Sequence, residues 1–216
     1  MNILEKLPFD WTGETAVCIG GGASLTKDQV DKVKGLKVIA VNDAYKIAPW
    51  ADILYACDRR WWDWHKGVIN FQGYRLQHYY ESYVKGQSSI KPYPGINIIL
   101  SDGSEGFSDR PARIRHGGNS GYQALHIAMK MKAKRIILLG YDMHMKTGKV
   151  HWFGNHPGGG SSKLDRDRYI GWMKKFPALQ EAAERLNIEI INCTPGSALE
   201  CFKKRELDAT LSDCKE

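Results

Sequence analysis

Ala16-Val17-Cys18-Ile19-Gly20-Gly21-Gly22-Ala23-Ser24-Leu25 is the stretch on which the reading of the fold turns. A short apolar run ends in three glycines and a serine, and a helical pattern opens at Thr26-Lys27-Asp28. A buried strand that turns sharply into a helix has this form, and the turn carries no side chains to hold a ligand away. Its backbone N–H groups can point at an anion, and the positive end of a helix dipole favours negative charge in the same place. The stretch predicts a strand–turn–helix unit that holds phosphate. A tight turn without a ligand is the plainer alternative.

Outward from this unit, short apolar runs alternate with helical spacing along the chain. Runs at 16–19, 37–41, 53–57, 97–100, 135–139 and 189–192 read as strands, and 74–78 as one more. Most are apolar throughout, as strands covered on both faces are. Helical spacing covers 27–34, 61–68, 120–131 and 167–186, the last broken or restarted at Pro177. This alternation predicts an α/β fold, a Rossmann-like doubly wound, mainly parallel sheet flanked by helices. Ligands in such folds bind beyond the carboxyl ends of the strands, near the point where strand order reverses. The segments 101–118 and 143–162 fit neither pattern and follow predicted strands, so both belong at that end as binding segments or lids.

Bulk properties bound the class. The 216 residues suffice for one domain with a full core. No apolar stretch approaches the roughly 20 residues of a membrane span, and residues 1–13 lack the apolar block of a signal peptide. The formal net charge of +7 suits a nucleotide or polyanionic partner. Its lysines and arginines are scattered in short groups, which permits a nucleic-acid partner without requiring one. The five cysteines show no metal-ligand spacing, and their odd number without a secretion signal points to a reducing cytoplasm.

Strand ends supply most of the candidate site residues. Asn42 and Asp58 each directly follow a run that should be buried, with Arg59 beside the second; Asp142 follows another as ligand group or helix cap. His116-Gly117-Gly118-Asn119-Ser120-Gly121 leaves a second helix amino terminus open to a ligand, with Asn119 or Ser120 as its cap. The segment from Asp142 to His156 carries three histidines, residue types suited to general base work on a hydroxyl. Their spacing matches no standard zinc site and no cysteine assists, so no metal site is expected. Trp61, Trp62 and Trp64 cannot all face the core; one is left to stack on a base or sugar, or to meet a second copy of the chain.

Familiar motifs fit poorly. A Walker P-loop needs Lys and Ser or Thr after its glycines, where this chain has Ala23-Ser24-Leu25. A dinucleotide fingerprint would use Gly20 and Gly22, with Asp43 about where a ribose-binding acid belongs, but Leu25 stands at its third glycine. No segment forms a nucleophile elbow.

Four segments in order resemble a known group: Ile19 to Leu25, Val41-Asn42-Asp43-Ala44-Tyr45, Asn119-Ser120-Gly121-Tyr122 and Leu139-Gly140-Tyr141-Asp142. They are similar to the bacterial sialyltransferases that use CMP-sialic acid. They are similar also to a broader bacterial and phage set related to the archaeal 6-hydroxymethylpterin diphosphokinase. The resemblance implies one nucleotide-binding, transferase-like domain over 1–216, with its core at about 15–202 and a tail at 203–216. It implies nucleotide contacts at Gly20, Gly21, Gly22, Ser24, Asn42, Ser120 and Gly121. It also implies a histidine base in the segment Trp152-Phe153-Gly154-Asn155-His156, with His156 leading and His151 in reserve. Gly21 stands where the sialyltransferases have Asn, and the histidine segment is one residue longer than theirs.

The expectation that follows is a nucleotide-dependent transferase, glycosyltransferase-like, with no tightly bound cofactor. Arg59 or Arg60 and two open helix termini would steady the leaving phosphate, and a histidine would take the acceptor's proton. A diphosphokinase using Mg²⁺ on Asp58 and Asp142 is the second reading. A non-catalytic nucleotide- or nucleic-acid-binding module is the third. Self-association through exposed tryptophans is compatible with all three.

Overall fold

The computed structural model describes residues 2–82, 91–144, 150–154, 157 and 166–213. Its strands are β1 Asn2–Ile3, β2 Thr15–Ile19, β3 Lys37–Val41, β4 Ile53–Ala56, β5 Tyr74–Tyr80, β6 Asn97–Ser101, β7 Arg113–Ile114, β8 Arg135–Leu139, β9 Glu189–Asn192 and β10 Lys203–Lys204. Its helices are α1 Lys27–Lys32, α2 Arg59–Trp64, α3 Ser120–Lys130, α4 Arg166–Met173, α5 Phe176–Arg185 and α6 Leu207–Ser212, with 3-10 turns at Asn42–Lys46 and Lys66–Val68. All strands join one sheet in the order β1-β6-β5-β4-β3-β2-β8-β9-β10, and every pairing is parallel.

Burial explains why these runs became strands. Along β2, β3, β4 and β8 successive side chains point to opposite faces. Cys18, Ile39, Tyr55 and Leu138 pack on one face with α3 and α5. Their neighbours Val17, Ile19, Ala40, Leu54 and Leu139 pack on the other with Val30 of α1, Trp61 and Trp62 of α2 and Leu207 of α6. Both faces are apolar, so the runs show no alternation, as expected of a doubly wound parallel sheet. Each fully buried Leu, Ile or Val contributes roughly 1.5–3 kcal/mol against exposure.

The topology sets where a ligand can enter. From β2 the chain steps outward through β3, β4 and β5 to β6, then returns through α3 to β8 on the far side of β2. Strand order therefore reverses between β2 and β8, and the carboxyl ends of these two strands face a crevice. At the outer edges β6 carries β1 along its first two residues and β7 along its last two, while β9 carries β10.

Several elements differ from the sequence expectation for identifiable reasons. The helix expected at 61–68 begins at Arg59 and breaks after Trp64, because Lys66, Gly67 and Val68 all take positive φ. The helix expected at 167–186 divides at Lys174, and Pro177 sits in the first turn of α5, where its missing N–H costs no bond. The segment read as a tail folds into β10 and α6 and buries Leu207. Trp61 and Trp62 are buried, their indole N–H groups donating to Asp43 and to the Ala56 carbonyl, and Trp64 is half-buried. Among the described residues no helix is long and apolar enough to cross a membrane.

Candidate functional site

A cavity of about 280 Å³ opens at the β2–β8 crevice. Gly20, Gly21 and Gly22 form one wall, Asn42, Cys57 and Asp58 at the ends of β3 and β4 a second, and Gly118–Gly121 a third. Residues 140–144 close the β8 side, and Val150, His151, Phe153 and the α4 side chains Arg168, Tyr169 and Trp172 complete the enclosure.

The glycine loop is held mostly by the protein itself. Gly20 N–H donates to the Leu139 carbonyl at 2.7 Å, Gly22 N–H to the Gly140 carbonyl at 2.9 Å, and Leu25 N–H to the Gly22 carbonyl at 3.2 Å. Ser24 donates twice to the Asp142 carboxylate, from its N–H at 2.9 Å and from Oγ at 3.0 Å. Asp142 is only 2% exposed. A Cβ at Gly22 would lie 1.8 Å from Asp142 Oδ2, and one at Gly20 2.6 Å from the Gly140 oxygen. The glycines are thus required for close approach of β8, and the anion that meets this loop is the chain's own carboxylate. The N–H groups of Gly20, Gly22, Ser24 and Leu25 are thereby occupied within the protein, while all three glycines still line the cavity. Thr26 and Gln29 also satisfy the first turn of α1 through a reciprocal capping box.

The open terminus is that of α3, eleven residues long. Asn119 Oδ1 accepts from Tyr122 N–H at 2.9 Å, while the backbone N–H groups of Ser120 and Gly121 have no partner among the described residues. Asn119 Nδ2 is buried and without a hydrogen-bond partner there. Gly117 and Gly118 take φ of 58° and 86°, and a Cβ at Gly117 would strike the Tyr122 ring at 2.1 Å. Lys175, in no ion pair among the described residues, places Nζ 3.7 Å from where a Gly118 Cβ would sit. Unspent N–H groups, an orphaned amide and an ammonium together suit an anion.

The remaining expected residues divide. Asn42 takes φ 52°, a conformation Asn tolerates, and so turns β3 into the cavity wall. Asp43 is 1% exposed and holds Trp61 Nε1 at 2.9 Å and Lys46 Nζ at 2.5 Å, which removes it from the ribose-binding position of a dinucleotide site. Arg59 lies beside a neighbouring cavity, its guanidinium bound to Asp63 and the Lys91 and Pro92 carbonyls and set over the Tyr93 ring. It is a strut rather than a phosphate hand. Asp58 is exposed and makes no capping bond to α2.

His151 reaches the cavity from a segment laid over the glycine loop, where Trp152 N–H donates to the Gly21 carbonyl at 3.2 Å. His151 Nδ1 lies 3.2 Å from that same carbonyl, which can only accept, so Nδ1 carries a proton. Its ring stacks on Phe153 with centroids 4.9 Å apart. His156 lies outside the described residues. His144, also in the wall, is tied to the Gly196 carbonyl at 2.9 Å.

Burial tunes the groups around the cavity. The Cys57 thiol is pushed far up by burial and then by the Asp58 charge. The Tyr169 phenol is raised by burial and then by Asp142, and His116 is lowered by burial and then by Lys175. Both Asp142 oxygens accept from Ser24, one from its N–H and one from its hydroxyl. Among the described residues no group of three or more His, Cys, Asp or Glu is placed to hold a metal.

Sequence reasoning missed Lys175 and the α4 wall. Their signal was an arginine, a tyrosine and a tryptophan at positions 168, 169 and 172, shortly after a glycine-rich run. Set beside known proteins, the chain matches no family model and no curated protein sequence.

Proposed function

We propose that this protein is a nucleotide-dependent transferase, glycosyltransferase-like, moving a group from a nucleotide-activated donor to a hydroxyl acceptor. The observation that carries the reading is the α3 terminus. It faces a cavity at the topological switch point, with two unspent N–H groups, the Asn119 amide and Lys175 around it. A donor phosphate set there receives fixed dipoles aimed at the oxygen on which charge builds as the bond to the transferred group breaks. The resemblance to CMP-sialic-acid enzymes supports the same reading, with the phosphate contact moved from the glycine loop to Ser120-Gly121.

The acceptor hydroxyl must lose a proton, and the His151 ring and the Asp58 carboxylate are groups of the wall suited to take it. Trp172 and Tyr169 supply flat apolar surface beside the phosphate position, where a base or sugar can pack.

A thermal-shift screen against CMP, UDP, GDP, ADP, their sugar conjugates and NAD tests the reading. A ligand at a hundred times its dissociation constant adds about 2.7 kcal/mol of stability, a rise of several degrees. A flat response to every nucleotide overturns the proposal.

A further inference from the structure

A second cavity of about 720 Å³ adjoins the first and shares four wall residues with it, Asn42, Cys57, Asp58 and Gly118. It is built around a buried polar group. His78 is 6% exposed, its Nε2 shares a 2.8 Å hydrogen bond with Ser101 Oγ, and its Nδ1 has no partner among the described residues. Trp64 and Tyr80 give the cavity aromatic surface, and Lys91 stands in its wall.

Resting on the transferase reading, we propose that this second cavity receives the hydroxyl acceptor and that Asp58, in the shared wall, is the base that takes its proton. Transfer has to occur where the two substrates touch, which is the wall common to both cavities. Of the four shared residues only two titrate. Half-buried Cys57 has its thiol pushed up, away from the thiolate, by burial and then by the Asp58 charge, which leaves the exposed Asp58 carboxylate, flanked in sequence by Arg59 and Arg60. His151 borders the donor cavity alone and is fixed over the glycine loop. His78 borders the acceptor cavity alone, and burial lowers it to about 3, so it reads the acceptor by hydrogen bonding as a neutral ring. The Asp58 side chain does not cap α2 and instead meets the neighbouring Cys57 thiol, within the same shared wall.

The step balances without a further reactant. The acceptor oxygen bonds to the transferred carbon, the carbon–oxygen bond to the donor phosphate breaks with its electron pair on the nucleotide, and the acceptor proton ends on the Asp58 carboxylate. Water can stand in for the acceptor, so slow donor hydrolysis reports the same base.

Release of free nucleotide from CMP-sialic acid, UDP-glucose, UDP-N-acetylglucosamine and GDP-mannose should be followed for the wild type, Asp58→Asn and Asp58→Ala. Binding of CMP, UDP and GDP is measured alongside. Asp58→Asn should bind the nucleotide as the wild type does and lose roughly 10²- to 10⁴-fold in turnover. Formate, a small external carboxylate, should restore part of the turnover of Asp58→Ala, a rescue no structural role would give. Nucleotide binding with Asp58→Asn turnover within tenfold of wild type, or a wild type that binds these donors and hydrolyses none, overturns the assignment of Asp58 alone. Failure of every nucleotide to bind overturns the transferase reading and this assignment with it.

Discussion

At the scale of single residues, Asn119 separates a helix cap from a ligand contact. Its Oδ1 caps α3 and its Nδ2 is the orphaned donor. Aspartate caps helices as well as asparagine does, but it replaces the donor amide with a second anionic oxygen. Asn119→Asp should therefore leave the urea midpoint nearly unchanged while nucleotide affinity falls at least tenfold by calorimetry. Equal affinity in the two proteins would remove the anion from this terminus. Asp142 shows why such residues resist reading from sequence. Its position after a strand allowed cap or ligand, and the deciding partner, Ser24, lies 118 residues away. The three glycines were legible as a close approach, but what approaches them was not.

At the scale of elements, α6 is held by one apolar anchor and a fringe of charge. Leu207 is 6% exposed and packs with Val30, Val33 and Trp62, whereas Lys32 reaches Asp28 and Asp208 at the surface. Leu207→Ala should cost roughly 2–3 kcal/mol in urea unfolding. Lys32→Ala should cost under about 1 kcal/mol, since its pairs are exposed and screened. The opposite ranking would mean that α6 is docked electrostatically. Seven strands were legible because each is a run of four to seven residues, mostly apolar. The two-residue strands β1, β7 and β10 carry too few residues for any period, and their pairing is decided by the longer strands beside them.

At the scale of the whole molecule, buried histidines make the fold sensitive to acid. His78 is lowered by burial and then by His116, and His126 is lowered by burial too, with the Ser108 and Arg115 N–H groups pointing at its two ring nitrogens. The unfolded chain gains protons on these rings near pH 6.5, while folded His78 gains its own only near pH 3. Stability is complete above pH 6.5 and drains away as the pH falls toward 3. His78 accounts for about 2 kcal/mol of the loss by pH 5. Urea unfolding at pH 7.5 and 5.0 should show this drop in the wild type and a drop smaller by about that amount in His78→Asn. An identical drop in both would place the acid sensitivity elsewhere. The doubly wound class was legible from strand–helix alternation, but the order of strands was not, because nothing local in β8 says that it lies beside β2.

The short outer strands have a consequence for how copies of the chain meet. An open parallel sheet presents two rims on which a stranger's backbone could continue the ladder. Here one rim is the pair of two-residue pieces β1 and β7 set end to end, and the other is Lys203–Lys204. Neither offers a long flat row of free amide and carbonyl groups, and the second is fringed by the ion pairs Lys203–Glu189 and Lys204–Glu200. Growth into cross-β aggregates is thereby starved of a template while the chain remains folded.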